Sequence, residues 1–317
     1  MSYEFRGAPS YGVELADGTL IDVPEAATAA GIALPGSGQP LHDATPSSLL
    51  AFIAGGEHSM RLLGVALHHV TTRKVPAARR ALDEVTLVAP IPRPAKNVFC
   101  VGRNYVEHVK EGYKTRGVAA ALPEHPQFFT KAPTTVIGPG AAFYLDPDLT
   151  QEVDHEVELG VVIGKRGVNI KDKDALDHVF GYTIINDITA RDLQRRHDQW
   201  FKGKSLDRSC PMGPWIVDKA TLGDPQTLSI ALSVNGETRQ QSNTDAMIFS
   251  VAHIIASLSA GLTLEPGDVI ACGTPSGVGY AMEPPRFLRV GDRIEASIGG
   301  IGSLQTVIAG ADQEKRP

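Results

Sequence analysis

Hydrophobic and polar positions in the first part of the chain predict a small module of mixed helix and strand. Apolar and polar residues alternate on both sides of Asp17-Gly18 in YGVELADGTLIDV (11–23), which predicts a β-hairpin closed by a tight turn. The stretch TPSSLLAFIAGG (45–56) predicts a capped helix that ends at glycine. Residues 1–87 are therefore interpreted as an N-terminal α+β module.

A proline-rich segment follows this module. In APIPRPAKN (89–97) every second residue from 90 to 94 is proline, which cannot donate to a sheet ladder and breaks helices. We interpret 88–97 as a stiff connector, 98–310 as the catalytic domain and 311–317 as a frayed tail.

The pattern of this larger domain predicts many short strands and one long helix. Apolar runs predict buried strands at NVFCVG (97–102), LGVVIG (159–164), GPWIV (213–217) and LSIALSVNG (228–236). GYTIINDITARDLQ (181–194) predicts a strand that turns into a helix. TDAMIFSVAHIIASLSAG (244–261) has apolar residues at helical spacing from Met247 to Leu258, with Gly261 as a C-cap. The chain is thus predicted to be α+β and β-rich.

Composition fits a globular protein and argues against several kinds of partner. The 317 residues are 42% hydrophobic, and 30 Lys and Arg against 36 Asp and Glu leave a formal charge of −6. A mildly acidic chain without a basic block disfavours nucleic acid and anionic membranes. No uncharged apolar run reaches the roughly 20 residues of a membrane span, and MSYEFRGAPSYG lacks the features of a signal peptide.

The cysteines carry a weaker signal about location. Cys100, Cys210 and Cys272 are far apart in sequence and form no CxxC pair. Neither a disulfide framework nor a thiolate zinc site is indicated. A reducing compartment, the cytoplasm, is the location that this pattern predicts.

An acidic stretch precedes one of the buried strands. QEVDHEVELGVVIGK (151–165) places Glu156 and Glu158 directly before Leu159 and its apolar run. Alternate residues of a strand face the same side, so the two α-carbons would lie roughly 6–7 Å apart. A hard divalent cation such as Mg²⁺ would relieve the repulsion between the carboxylates, while a solvated strand edge is the ordinary alternative. His155 faces the other side of that strand and is not counted as a ligand.

A third acid, Asp187, ends the apolar run YTIIN (182–186) and begins the predicted helix. The commonest role of aspartate at such a position is to cap the helix N-terminus. A cap and a metal ligand are compatible, because active-site groups emerge where strands end. Asp187 is therefore a candidate third ligand.

The segment CVGRNYVEHVKEG (100–112) holds a histidine–carboxylate pair. If the chain is helical after Asn104, His108 and Glu111 lie three residues apart on one helix face. A carboxylate beside an imidazole fixes its tautomer and raises its basicity, as a general base that activates water requires. An ordinary surface pair is the alternative.

Two glycine-flanked residues are harder to interpret. Lys204 lies in WFKGKSLD (200–207) and Thr274 in CGTPSGVG (272–279), where glycine shapes either a tight ligand loop or a plain turn. The second stretch fits neither GxxxxGK[ST] nor GxGxxG, so nucleotide binding is not indicated. The chain also has no GxSxG nucleophile elbow and no HExxH zinc motif.

Eight segments, in one order along residues 88–300, resemble the fumarylacetoacetate hydrolase family in its short, acylpyruvase-like branch. They are PIPRPAKNVFCVGRNY, HVKE, PQFFTKAPTTVIGPG, EVDHEVELGVVIGK, GYTIINDITARDLQ, QWFKGKSLDRSCPMGPWIV, VNGETRQQSNT and IIASLSAGLTLEPGDVIACGTPSGVG. The N-terminal module is also similar to that of the branch. The resemblance implies a mixed β-sandwich or β-roll, a homodimer, and a site for Mg²⁺, with Mn²⁺ or Ca²⁺ as alternatives.

The resemblance also implies roles for individual residues. The implied metal ligands are Glu156, Glu158 and Asp187. The implied catalytic residues are His108, Glu111 and Lys204. The predicted substrate-binding residues are Tyr105, Arg191, Gln194 and Thr274. We add Arg103 and Lys131 as anchors for a substrate carboxylate.

The reaction predicted from these residues is hydrolysis of a C–C bond in a β-diketo acid of the acylpyruvate or fumarylpyruvate type. A 2-keto carboxylate would chelate the metal, and water activated by His108 and Glu111 would attack the distal carbonyl. The metal and Lys204 would stabilise the departing enolate. The segment 105–127 is interpreted as a mobile lid, with an ordinary surface loop as the alternative.

Two other functions stay open. The same site could stabilise an enolate formed by decarboxylation or tautomerisation of an oxaloacetate-like or hydroxymuconate-like acid, because family members catalyse all of these reactions. A binding module with a purely structural cation is the second alternative. The histidine pair, the lysine and the glycine loop that accompany the acids argue against it.

Overall fold

A computed structural model of the protein describes residues 1–32, 48–115, 117 and 119–313. Its strands are β1 (Ser2–Phe5), β2 (Ala8–Glu14), β3 (Leu20–Asp22), β4 (Arg79–Arg80), β5 (Thr86–Leu87), β6 (Val98–Gly102), β7 (Gln127–Lys131), β8 (Val136–Ile137), β9 (Ala142–Leu145), β10 (Val153–Asp154), β11 (Val157–Ile163), β12 (Val179–Asn186), β13 (Thr189–Ala190), β14 (Cys210–Asp218), β15 (Ser229–Val234), β16 (Glu237–Asn243), β17 (Val269–Ala271), β18 (Arg293–Ile298) and β19 (Gly302–Gly310). Its α-helices are α1 (Val23–Ala29), α2 (Ser48–Ala54), α3 (Gly56–Arg73), α4 (Val106–Lys114), α5 (Arg191–Arg196), α6 (Phe201–Lys204), α7 (Lys219–Leu222) and α8 (Val251–Leu258). The predicted β-rich α+β class is confirmed.

The N-terminal strands form a sheet of their own, in the order β4-β3-β2-β1-β5. The predicted hairpin is present, because β2 and β3 pair antiparallel with Val13 opposite Ile21. Helix α2 ends before Gly55, as predicted, while the first residues of that prediction, 45–47, lie outside the described part of the chain. Helix α3 follows and packs on α1 around a small core that includes Ala66 and Val70.

Two larger sheets, together with the two-stranded pair β10-β13, build the rest of the described structure. A seven-stranded sheet has the order β7-β6-β17-β11-β12-β14-β8, with parallel pairs at β6/β17 and β8/β14. A five-stranded sheet has the order β16-β15-β18-β19-β9. The largest core lies between the two, where Val161 and Ile184 of the first sheet meet Ile230 and Ile294 of the second.

The centre of the seven-stranded sheet is buried on both faces. Val161 faces the second sheet, and its neighbour Val162 packs with Tyr11 and Phe52 of the N-terminal residues. Alternate strand residues point to opposite faces, so a strand covered on both sides is apolar throughout. Every residue of β11 is accordingly buried, and this includes Glu158.

The long helix predicted over 244–261 is shorter than expected. Residues Thr244–Ala246 form a 3₁₀ turn, and α8 begins only after Ser250, whose side chain accepts from the backbone N–H of His253 at 3.2 Å. The intervening backbone is held extended, because Phe249 N–H donates to the Asn104 side chain at 2.8 Å. The helix is capped by Ser259, and the predicted C-cap Gly261 lies in the turn beyond it.

Two further predictions concern the C-terminal tail and membrane-spanning helices. Ala311–Gln313 form a 3₁₀ turn, and the remainder of the predicted frayed tail lies outside the described residues. Within the described ranges, none of the helices combines the length and the apolar character of a membrane span.

Candidate metal centre and active site

The three acids predicted to bind metal meet at one end of the seven-stranded sheet. Glu158 lies in β11, Glu156 precedes that strand, and Asp187 directly follows its antiparallel neighbour β12. Val157 pairs with Asn186, and Asp187 N–H donates to the Glu156 carbonyl at 2.8 Å. One carboxylate oxygen from each acid lies within 4.8 Å of the others. Strand pairing thus brings together residues about 30 positions apart in sequence.

Asp187 does not begin or cap a helix. The chain continues through β13, which pairs with β10, and α5 starts at Arg191 with Ala190 as its N-cap. The Asp187 carboxylate instead accepts from two lysines, Lys131 Nζ at 2.7 Å and Lys204 Nζ at 2.6 Å. The N-cap prediction is wrong because the β10–β13 pair keeps this stretch extended.

Glu156 is held by two cations. Lys204 Nζ donates to one carboxylate oxygen at 2.7 Å and Arg191 Nη2 to the other at 2.5 Å, while Arg191 Nε donates to Asp154 at 2.9 Å. Burial alone would raise the pKa of Glu156, but Lys204 and Arg191 outweigh it and hold that pKa below its ordinary value. Burial likewise opposes the charge of Lys204, yet Asp187 and Glu156 raise its pKa, so the ammonium is protonated.

Glu158 has no such partner. Among the described residues no lysine or arginine forms an ion pair with it, and its carboxylate accepts from Gly273 N–H at 2.7 Å. Burial first, and then the charges of Asp187 and Glu156, raise the pKa of Glu158 well above its ordinary value. A buried carboxylate beside two others needs a positive charge, and hard divalent cations prefer oxygen ligands. The three acids therefore fit the predicted Mg²⁺, Mn²⁺ or Ca²⁺.

Adding Mn²⁺ to metal-free protein is expected to raise Tm without being needed for folding. Lys131, Lys204 and Arg191 already compensate much of the acidic charge, so the protein is expected to stay folded in EDTA. A cation at 100 times its Kd adds about 2.7 kcal/mol of stability, which corresponds to a rise on the order of 5 °C. Scanning calorimetry with EDTA and with Mn²⁺ measures this difference. Unfolding in EDTA would indicate a purely structural cation instead.

The predicted histidine–carboxylate pair forms on α4. His108 Nδ1 lies 2.8 Å from one oxygen of Glu111, and the other oxygen accepts from Gly277 N–H at 2.9 Å. A carboxylate at Nδ1 favours the tautomer with hydrogen on that nitrogen, which leaves Nε2 as the base. Glu111 thus fixes the imidazole and ties α4 to the glycine loop.

A cleft of about 890 Å³ opens on these groups. The predicted site residues on its walls are Arg103, His108, Glu156, Glu158, Arg191, Gln194, Lys204 and Thr274. Aromatic residues on its walls are Tyr113, Phe129, Trp200, Tyr280 and Phe287. Acid–base groups, cations and an aromatic surface therefore face one space, as a site for a small organic acid requires.

Arg103 is the cleft cation best placed to receive an anion. It directly follows β6 in the left-handed region, with φ of 57°, and its Cζ lies 5.7 Å from the Trp200 ring and 5.8 Å from the Tyr113 ring. Arg191 and Lys204 are bound to acids, whereas Arg103 has no ion pair within the described part of the chain. The geometry is compatible with its predicted role as a carboxylate anchor.

Two other predicted substrate-binding residues do not line the cleft. Lys131 is fully buried and donates to Asp187, to the Ile188 carbonyl at 3.1 Å and to the Lys204 carbonyl, so its donors are taken by the protein. This contradicts its predicted role as a substrate anchor. Tyr105 packs in the main core, and its buried hydroxyl has no partner among the described residues.

Asp154, a buried residue that the sequence does not single out, supports the site. Asp154 accepts from Arg191, from Gly279 N–H at 2.7 Å and from Tyr280 N–H at 3.1 Å. His155 Nε2 lies 3.3 Å from the Gly277 carbonyl, outside the triad of acids. Acidic residues near a strand look alike in sequence, and only the fold shows which of them hold the surrounding loops.

The comparison with known proteins agrees with this geometry. The family model for the C-terminal domain of fumarylacetoacetate (FAA) hydrolase matches residues 97–309, which include every predicted site residue. The chain belongs to the fumarylacetoacetate hydrolase family. It is an enzyme of this family, with an acidic triad that suits a divalent metal.

Several relatives share most of the chain. Oxaloacetate tautomerase YisK from Bacillus subtilis (strain 168) is 53% identical over 228 residues, 72% of this chain and 74% of that protein. A solved fumarylacetoacetate hydrolase from psychrophilic Exiguobacterium antarcticum is 39% identical with a TM-score of 0.76, and the match covers 98% of each chain. A maleylpyruvate hydrolase from Sphingobium sp. SYK-6, solved with manganese(II) and pyruvate, is 28% identical with a TM-score of 0.74, covering 98% of this chain and 99% of that one.

Proposed function

We propose that this protein is a divalent-metal-dependent tautomerase of an oxaloacetate-like 2-oxo acid. The observation that carries the proposal is the placement of an oriented imidazole and two acids of the buried triad, Glu156 and Glu158, on one cleft, in a chain 53% identical over 228 residues to an oxaloacetate tautomerase. The sequence favours hydrolysis, with decarboxylation or tautomerisation of an oxaloacetate-like or hydroxymuconate-like acid as the alternative. The relatives support the alternative better.

The chemistry assigned to the chain is proton transfer next to a carbonyl. A divalent cation in the triad would polarise the 2-oxo group and make the neighbouring C–H more acidic. His108 Nε2 would then take a proton from C3, the electrons of that C–H bond would form the C2–C3 double bond, and the π electrons of the C2 carbonyl would move onto its oxygen. The protonated imidazole would return its proton to the oxygen at C2, which completes the enol. Glu111 would stabilise the imidazolium between these steps.

Two cationic side chains on the cleft walls, Lys204 and Arg103, support this scheme. Lys204 is protonated beside Glu156 and Asp187, where it would stabilise negative charge on the enolate oxygen. Arg103 would bind the distal carboxylate. It follows β6, and β6 is separated from β11 by one strand, so the two lie about 10 Å apart at a strand spacing of ~4.8 Å. That distance suits a four-carbon dicarboxylate with its other end at the triad.

Hydrolysis of an acylpyruvate is the second candidate function. It is favoured by the likeness to a maleylpyruvate hydrolase solved with manganese(II) and pyruvate, and by a cleft larger than a four-carbon acid fills. In that reaction His108 would take a proton from water, whose oxygen adds to the distal carbonyl. The C–C bond would then break, and the imidazolium would protonate the enolate that leaves.

Product analysis with Mg²⁺ or Mn²⁺ separates these candidates. Oxaloacetate and a panel of acylpyruvates are followed by proton NMR in deuterated buffer, with EDTA as the control. Tautomerisation exchanges the C3 hydrogens of oxaloacetate and keeps its carbon skeleton, whereas decarboxylation gives pyruvate and carbon dioxide, and hydrolysis gives pyruvate and a second acid. We expect metal-dependent exchange to be fastest. Its absence, or cleavage of acylpyruvates alone, would contradict the tautomerase proposal.

Assembly and location are also proposed. A homodimer follows from the family resemblance, and sedimentation would then give twice the chain mass of 33.8 kDa. The cytoplasm follows from the separated cysteines, all three of which are buried as free thiols.

A further inference from the structure

Gln240 connects two parts of the site that lie on different elements. It belongs to β16, the edge strand of the five-stranded sheet, and its side chain is fully buried. Its Oε1 accepts from Val157 N–H at 3.0 Å, and its Nε2 donates to Thr274 Oγ1 and to the Pro275 carbonyl, both at 2.8 Å. Val157 separates the two glutamates of the metal site, and Thr274 lines the cleft.

The two backbone contacts fix which way the amide of Gln240 points. A backbone N–H can only donate and a backbone carbonyl can only accept, so Oε1 faces Val157 and Nε2 faces Pro275. The group beside Thr274 Oγ1 is therefore a donor. The hydroxyl accepts from it, and its own hydrogen is left for another acceptor. Within the described residues that hydrogen has no protein acceptor, and Thr274 lines the cleft.

We propose that Gln240 is a positioning residue that aims the Thr274 hydroxyl hydrogen at the enolate oxygen of the bound acid. Gln240 does not line the cleft, so it would reach the ligand oxygen through Thr274, which does line it. A hydrogen-bond donor that is already oriented before the reaction stabilises the negative charge that develops, because no side chain has to reorient during the chemical step. The inference rests on the proposed function in one respect, namely that the ligand is a 2-oxo acid that becomes an enolate.

Replacing Gln240 with Glu tests this assignment directly. The introduced carboxylate keeps an acceptor for Val157 but offers no donor to Thr274, so the hydroxyl would turn and donate to the carboxylate instead of to the ligand. The probe is oxalate, a planar dianion that resembles an enolised 2-oxo acid, bound to Mn²⁺-loaded protein in a calorimetric titration. We expect the Kd for oxalate to rise on the order of 10-fold, with a similar fall in kcat and little change in KM.

A double-mutant cycle separates positioning from a general structural effect. Thr274→Val removes the hydroxyl and is expected to weaken oxalate binding about as much as Gln240→Glu. If Gln240 acts through that hydroxyl, the double variant binds oxalate no more weakly than Thr274→Val alone. Losses that add fully would overturn the inference, and so would unchanged binding in Gln240→Glu. Thr274→Ser keeps a hydroxyl and is expected to bind oxalate more tightly than Thr274→Val, with a Kd close to that of the wild type.

The controls address folding and charge. Gln241→Glu adds the same charge on the next, exposed residue and is expected to bind oxalate like the wild type. If Gln240→Glu does not fold, Gln240→Met removes the donor without adding charge, and a smaller loss is expected that again disappears in the Thr274→Val background. Wild-type protein that binds Mn²⁺ but not oxalate would contradict the proposed function as well. A variant-specific failure would contradict only the role of Gln240.

Discussion

Glu158→Gln is expected to abolish metal-dependent turnover while the protein stays folded. Glu158 is the acid of the triad without an ion-pair partner in the described structure, so its charge is the one that a cation would balance most directly. The amide keeps one oxygen but loses the negative charge. Metal affinity is expected to fall more than about 100-fold, since losing a partner outside the ligand shell already costs 10- to 100-fold.

The same substitution is expected to leave stability intact or to raise it. In metal-free protein a neutral side chain at this position avoids both the cost of burying a charge and the repulsion from Asp187 and Glu156, which together raise the pKa of Glu158. Calorimetry in EDTA should therefore show an equal or higher Tm, and added Mn²⁺ should no longer shift it. Glu107→Gln is a matched control, because Glu107 lies exposed on α4 and its one ion pair among the described residues is with Lys110. Unchanged metal affinity in Glu158→Gln would remove Glu158 from the ligand set.

The acid triad could be predicted because its geometry is local to one strand pair. Glu156 and Glu158 are two residues apart, and Asp187 comes at the end of the next strand of the sheet, β12. Strand alternation and antiparallel pairing then bring all three together whatever the rest of the fold does. The pair on α4 was equally local, since helix spacing alone brings His108 to Glu111.

The charges around the triad could not be predicted in this way. Lys131 is 56 residues from Asp187 in sequence, and only the packing of β7 beside α6 brings its ammonium to that carboxylate. The sequence shows a lysine near aromatic residues and gives no sign that its donors are all satisfied. Gln240 is a similar case. In the sequence it looks like a residue of an ordinary edge strand, but its side chain contacts Val157 of the other large sheet and the loop that holds Thr274 and Pro275.

The helix predicted over 244–261 is too long for a related reason. Apolar periodicity continues from Met247 into α8, but Asn104 binds the backbone at Phe249 and Ser250 caps the helix after it. A tertiary contact from a distant loop thus outweighs local propensity. That contact also serves the site, because Asn104 follows Arg103 and donates to the Cys272 carbonyl at 2.8 Å, beside the loop of Thr274.

His108→Ala is expected to slow the chemical step by roughly 10²–10⁴, the usual effect of losing a general base. Its imidazole lies outside the triad, so the affinity for Mn²⁺ should stay close to that of the wild type. Exchange of the C3 hydrogens of oxaloacetate, followed by NMR, measures proton removal apart from later steps. Glu111→Gln keeps an acceptor at Nδ1 but loses its charge, and is expected to cause a smaller loss.

A matched control exists for this substitution. His253 Nδ1 lies 3.0 Å from Asp172 in a similar pair, but its side chain is 45% exposed and does not line the cleft. His253→Ala should therefore leave the exchange rate unchanged. If His108→Ala exchanged the C3 hydrogens at the wild-type rate, the base would have to be another group. Lys204 could not serve without first losing its proton, because Asp187 and Glu156 hold its pKa above the ordinary value against the effect of burial. Wild-type exchange would thus contradict both the role of His108 and the acid–base scheme built on it.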